Sequence, residues 1–149
     1  MAPKKKKAKT EKPTPIVLSI NLCDTIIRDE STKKVSLLGL FSVIQSRTFP
    51  AKHPEMHVYV ALTNGHGEQD IDIRFVSFDS NEPIAGMKGS LKFQSSLQVV
   101  ELNLKWRGVV FPAPGEYLVE VLCDGAKISD RKFTVFNPNE APHTNGTGG

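Results

Sequence analysis

Residues 111–136 read FPAPGEYLVEVLCDGAKISDRKFTVF, and this stretch decides the fold because it spells out a complete antiparallel hairpin. Pro112, Pro114 and Gly115 make the turn that opens the first strand: proline fixes φ and removes a donor, while glycine accepts dihedrals that other residues avoid. Tyr117, Val119, Val121 and Cys123 then alternate with Leu118, Glu120, Leu122 and Asp124, the two-residue period of a strand. Asp124-Gly125 signals a tight turn into the next strand. Tyr117, just after Pro-Gly, has the placing of a tyrosine corner, and a hairpin of this kind is how an immunoglobulin-like sandwich usually ends.

The same period recurs upstream. Ile16, Leu18, Ile20 and Leu22 alternate with Val17, Ser19, Asn21 and Cys23; Met56, Val58, Val60 and Leu62 alternate with His57, Tyr59 and Ala61. Ile71, Ile73 and Phe75 alternate with Asp70, Asp72 and Arg74, and Val100, Leu102, Leu104 and Trp106 with Glu101, Asn103 and Lys105. Such runs are half-solvated antiparallel strands. The segment from Val35 to Ile44 differs. Val35, Leu37, Phe41 and Val43 share one phase while Leu38, Leu40 and Ile44 share the other, so both faces are apolar. Either this is a central strand covered on both sides, re-phased by a bulge at Gly39, or its outer face of Leu38, Leu40 and Ile44 meets a partner.

Polar or glycine-rich breaks fall at 28–34, 46–54, 64–69, 79–89, 107–115 and 124–125, which leaves about seven strands. The reading is an all-β, immunoglobulin-like antiparallel β-sandwich over residues 16–137, although periodicity alone also allows a partly open barrel. Residues 1–15 and 138–149 lack apolar periodicity and are expected to be disordered tails.

Charge is unevenly distributed. Of 19 basic and 16 acidic side chains, Lys4, Lys5, Lys6, Lys7, Lys9 and Lys12 stand in the first twelve residues beside Glu11, which leaves 13 basic against 15 acidic groups, a balance of −2. A neutral to mildly acidic body thus carries a basic string. Lys4, Lys5, Lys6, Lys7 and Lys9 can solubilise the chain, resemble a nuclear localisation signal by composition, or neutralise phosphates of nucleic acid without reading bases. Thr10 to Pro15 is polar, so neither an export signal nor a membrane span is expected and a cytoplasmic location follows. Cys23 and Cys123 should stay reduced there, and their opposite strand phases argue against a disulfide between them.

No constellation of catalytic spacing stands out. His53 and His57 on one strand would lie about 13 Å apart, too far to share an ion. His66, beside Asn64-Gly65, reads as a turn residue. Asp24, Arg28, Asp29 and Glu30 read as a solvated turn, and Asp70 with Asp72 as a solvent face or a guard against edge pairing. Glycine loops for phosphate, zinc-spaced cysteines and serine elbows do not occur, so no catalytic residue, metal or cofactor is expected.

Asn21-Leu22-Cys23-Asp24, Arg28, the run Lys34 to Ile44, Phe49-Pro50, His53-Pro54, Pro-Gly-x-Tyr at 114–117 and Asp124-Gly125 stand in a fixed order. That order resembles a family of small uncharacterised bacterial all-β proteins, over roughly residues 16–136. Leu40, where valine is commoner, and the lysine-rich extension depart from it. The resemblance implies a cytoplasmic β domain of unknown function and transfers no catalytic residues. The expected function is a non-enzymatic binding or scaffold module that contacts a protein partner or itself; the alternative is non-specific nucleic-acid association through the lysine tail.

Overall fold

The computed structural model describes residues 13–140. They form nine strands where the sequence suggested seven: β1 (Ile16–Arg28), β2 (Val35–Leu40), β3 (Val43–Gln45), β4 (Ala51–Thr63), β5 (Gly67–Ser77), β6 (Pro83–Phe93), β7 (Val100–Phe111), β8 (Gly115–Cys123) and β9 (Ala126–Phe136). A four-stranded sheet runs β2-β1-β4-β7 and a five-stranded sheet runs β3-β9-β8-β5-β6. Every pairing is antiparallel except β3 with β9.

The opening hairpin is as expected. Asp124 and Gly125 both have positive φ (49° and 87°), the backbone that a two-residue turn between twisted strands requires. Tyr117 Oη donates to the Ala113 carbonyl at 2.5 Å, which completes the tyrosine corner. Its ring belongs to an aromatic cluster drawn from both sheets. Phase-matched rings of β5, β7, β8 and β9 point into one space: Phe75 lies 4.7 Å from Trp106, 6.4 Å from Phe111 and 5.8 Å from Phe133, all edge-on. Edge-on packing sets the positive rim of one ring against the negative face of another. The Trp106 indole N–H is buried and has no hydrogen-bond acceptor among the described residues. Met56, Val58, Val60 and Leu62 complete the core from β4, as their alternation predicted.

Three expectations are corrected. First, Ile16 and Leu18 do not face inward; both are half exposed, because a bulge between Val17 and Ser19 shifts the phase and brings Val17 against the core instead. Second, β6 stands where Pro83, Gly86 and Gly89, which disfavour a strand interior, imply a break. It lies at a sheet edge, where a strand needs only one hydrogen-bonded neighbour and proline is tolerated at the start. Third, Val35 to Ile44 is not one two-sided strand. It stops at Leu40, crosses between sheets, and resumes as β3.

That crossover links the two sheets along one side. β2 pairs only with Cys23 to Arg28, so the carbonyls of the first half of β1 lack a partner strand on that side. The Phe41 amide donates to the Leu22 carbonyl at 3.0 Å, and Arg131 of β9 donates to the Ile20 carbonyl at 2.7 Å. Ser42 accepts from the Thr134 amide at 3.0 Å, and the Ser46 amide donates to the Phe136 carbonyl at 3.0 Å. Buried backbone groups are thereby satisfied across the seam.

No disulfide joins the cysteines: Cys123 lies in the core, whereas Cys23 is buried on the other face of the four-stranded sheet. Pro15 is buried and Gln69 Nε2 donates to the Pro13 carbonyl at 3.3 Å, so packing begins before Ile16. The rest of the N-terminal tail, Lys4, Lys5, Lys6, Lys7 and Lys9 included, and residues 141–149 lie outside the described residues.

Phe75→Ala should lower unfolding stability by about 3–5 kcal/mol, the range for emptying a buried aromatic site. Urea unfolding followed through the single Trp106 reads this directly, and a loss below about 1 kcal/mol would show that the ring cluster does not hold the sheets together.

Candidate functional site

The two histidines of β4 demonstrate how the site is built. Ala51, His53 and Met56 point inward while His57 points outward, although the pairing of β4 with β7 runs without a slip from Ala51–Phe111 to Leu62–Val100. Both strands therefore change phase together. The change falls at Pro54, which cannot donate to the ladder, and Gly108 across from it, whose φ of 66° favours glycine. On β7, Trp106 precedes this point and Val109 and Phe111 follow it, all buried.

The two imidazoles consequently sit on opposite faces. His57 is covered on the outer face, with Nδ1 3.4 Å from Asn103 Oδ1 and Nε2 3.6 Å from Glu55. Nearby on that face, Tyr59 Oη donates to Glu101, and its pKa is pushed up to about 12 by burial first and then by that carboxylate. His53 instead enters a cavity of about 270 Å³ at the open rim between the sheets, with Asp24, Gly39, Leu40, Phe41, Val43, Ile44 and Gln45. Its ring centroid lies 6.1 Å from that of Phe41, tilted by 47°. No group of three or more His, Cys, Asp or Glu placed to hold a metal occurs among the described residues.

Asp24 reaches this cavity because Gly39 opposite it has no side chain. A Cβ on Gly39 would stand 2.4 Å from Asp24 Oδ2, and its φ of 72° is one that other residues rarely adopt. The acidic cluster expected at the first turn is thus divided. Asp24 belongs to the cavity, whereas Asp29 shapes the turn: its Oδ1 accepts from the Ser31 amide at 2.9 Å, the Ser31 hydroxyl at 2.8 Å and the Thr32 amide at 2.8 Å. Those bonds hold the Asp29 carboxyl below its usual range. Arg28 Nη1 donates to the Lys33 carbonyl at 3.0 Å across the same turn, and Glu30 is exposed on it.

The three residues of the expected partner face separate as well. Leu38 and Leu40 are 45% and 62% exposed on the edge strand β2, but Ile44 is only 6% exposed and belongs to the core, since β3 lies in the other sheet. Its place is taken by Ile27, 51% exposed on β1. Register sets Leu38 opposite Thr25 and Ser36 opposite Ile27, so Ile27 and Leu38 are diagonal neighbours on one face. Ile27 escaped notice because its contribution depends on which strand it pairs with, and no period along the chain carries that.

Larger hollows lie elsewhere. One of about 440 Å³ is lined by Pro13 to Pro15, Gln69 and Cys123; another, of about 480 Å³ on the outer face of the five-stranded sheet, includes Asp70, Asp72, Lys88 and Leu122. Asp70 and Asp72 are on β5, an interior strand, so they guard no edge. On the same face Glu120 is buried, and Arg74 at 3.1 Å and Lys127 at 3.4 Å compensate its charge.

A model of the family DUF6941, a family of unknown function, matches residues 18–136. The chain belongs to that family. Several of the motifs that follow one another along the DUF6941 region meet in space: Asp24, Gly39 to Phe41 and His53 line the same cavity, and Phe49, preceding a cis bond to Pro50, packs on the core. Comparison with curated proteins finds no match. Among solved structures, the Pseudomonas fluorescens alkylpurine DNA glycosylase AlkC bound to DNA containing an abasic site analog is similar at 10% identity and a TM-score of 0.46, over 82% of this chain and 30% of that one. The chain therefore spans less than a third of that protein's length. No helix among the described residues is long and apolar enough to cross a membrane.

Burial lowers the His53 pKa below the usual imidazole value of 6.5, and nearby Asp24 offsets this only in part. The folded chain thus favours the neutral ring. As pH falls below about 6.5 the unfolded chain takes up this proton first, so stability due to neutral His53 is complete above that pH and is lost toward the folded pKa. A nuclear magnetic resonance titration should place the His53 midpoint below 6.5, and His53→Gln should flatten the loss of stability between about pH 7 and 5. A midpoint at or above the usual value would contradict the cavity environment described.

Proposed function

We propose that this domain is a non-enzymatic binding module, a cytoplasmic sandwich of immunoglobulin-like kind, which contacts a protein partner through the outer face and free edge of the β1–β2 hairpin. One observation carries the reading. Of the four strands that end the two sheets, β2 alone is both longer than three residues and free of charge and proline: it reads Val-Ser-Leu-Leu-Gly-Leu. The edge strand β7 carries Glu101, Lys105 and Arg107; β6 carries Pro83, Lys88 and Lys92; β3 has only 3 residues. Charges, proline and shortness are what keep an edge from pairing with another chain. The β2 edge lacks them and adds exposed Leu38, Leu40 and neighbouring Ile27, the composition of a contact surface.

The placement of the nucleophilic and basic groups supports a binding role over catalysis. Cys23 is fully buried, and burial first, then Asp24, raises its pKa, so the thiol stays protonated and covered. His53 and His57 face different sides and cannot act on one substrate.

Leu38→Asp with Leu40→Asp should leave the fold within about 0.5 kcal/mol of the wild type, since both side chains are exposed. The same pair should abolish capture of partners from a bacterial lysate and any self-association seen by size exclusion with light scattering. Capture that survives both substitutions would refute the hairpin contact.

The segregation of charge favours a second reading, nucleic-acid association through Lys4, Lys5, Lys6, Lys7 and Lys9. Deleting residues 1–12 should then remove weak binding to duplex DNA that falls steeply with salt. Binding that persists without the tail, or does not respond to salt, would dismiss it.

A further inference from the structure

We propose that the Asp24 cavity receives a lysine or arginine side chain from an extended partner segment laid along β2. This rests on the hairpin contact proposed above and names the chemistry of the partner.

The first argument is charge. Asp24 forms no salt bridge among the described residues, in contrast with Glu55, Glu116, Glu120 and Asp130, each within 4 Å of a lysine or arginine nitrogen. The basic ring nearest in kind, His53, is kept neutral by burial. A carboxylate at the mouth of the cavity thus has no lysine or arginine partner among the described residues, and charge-assisted hydrogen bonds are the strong ones.

The second is geometry. Asp24 and Gly39 stand opposite each other between the pairs Cys23–Leu40 and Thr25–Leu38. A strand added to β2 would lie about 4.8 Å beyond it, so its residue opposite Gly39 would be roughly 10 Å from the Asp24 backbone, on the same face. The Asp24 side chain itself lies over Gly39, where any Cβ would stand 2.4 Å from Oδ2, so glycine is what lets the carboxylate lie across β2. Of ordinary side chains, only lysine and arginine combine the reach with the charge.

The third is the lining. Val43 and Ile44 offer aliphatic walls to a methylene stem, and the Phe41 ring shares the lining with Asp24, as an aromatic neighbour for the cationic head. The cavity, at about 270 Å³, is smaller than the roughly 300–1,000 Å³ of sites for whole small molecules, which suits one side chain.

The test uses the full chain and three peptides, acetyl-Val-Thr-Val-Arg-Val-Thr-Val-amide, its lysine counterpart, and the same sequence with citrulline, which keeps the arginine shape without the charge. Fluorescence anisotropy of labelled peptides should show the arginine and lysine forms binding at least about tenfold more tightly than citrulline, the scale of a charged hydrogen bond. Asp24→Asn should erase that difference while its unfolding curve stays that of the wild type. In heteronuclear spectra the arginine peptide should shift the Gly39 amide and the His53 ring. Equal affinity for arginine and citrulline, an unaltered preference in Asp24→Asn, or no binding of any peptide overturns the proposal. Partner capture that depends on Leu38 and Leu40 but is untouched by Asp24→Asn would also overturn it, while leaving the hairpin contact in place.

Discussion

Phe75 touches Trp106 and Phe111 of the four-stranded sheet and Phe133 of its own, and Phe111 and Phe133 in turn meet Tyr117. Each edge-on pair is worth about 0.5–1.5 kcal/mol beyond the area it buries. The larger effect is geometric. Rings of this size interlock in few arrangements, so their packing sets how the sheets lie on each other and hence where the rims stand open. The Tyr117 hydroxyl ties the same cluster to the loop before β8.

The rim that matters follows from a mismatch in length. β1 has 13 residues and β2 only 6, which leaves half of β1 without a neighbour on that side. The chain satisfies the exposed carbonyls by crossing to the other sheet at Phe41 and Ser42 and by extending Arg131 back to Ile20. Crossing there makes β2 an edge strand and leaves a gap between it and β3. The joint change of phase at Pro54 and Gly108 then directs His53 into the gap and His57 away from it. One seam therefore generates both the uncharged strand edge and the cavity beside it.

Much of this was legible along the chain. The alternation of Met56 to Leu62, of Ile71 to Phe75 and of Tyr117 to Cys123 picks out the core-facing side of each strand, but not its solvation, since His57, Ala61, Leu118 and Leu122 on the opposite phase are buried as well. The turn at Asp124-Gly125 is read directly, since few residues tolerate positive φ twice in succession. The exposure of Leu38 and Leu40 could be read from their phase. The burial of Ile44 could not, because the switch of sheets lies between them. β6 was hidden by its glycines and proline, and the bulge at Leu18 by an alternation that looked unbroken.

By itself, then, the sequence determined that this is an all-β protein, where most of its strands run, which side chains of the regular strands fill the core, and that the excess of basic over acidic groups is carried by the first twelve residues. Those properties depend on period and composition, which are local. Tertiary structure alone decided that Asp24, Gly39, Phe41 and His53 share a cavity, that Ile27 joins Leu38, and that β2 is the unguarded edge. Each of these depends on which strand lies beside which, and strand order is set by the packing of the two sheets as a whole, not by any segment within them.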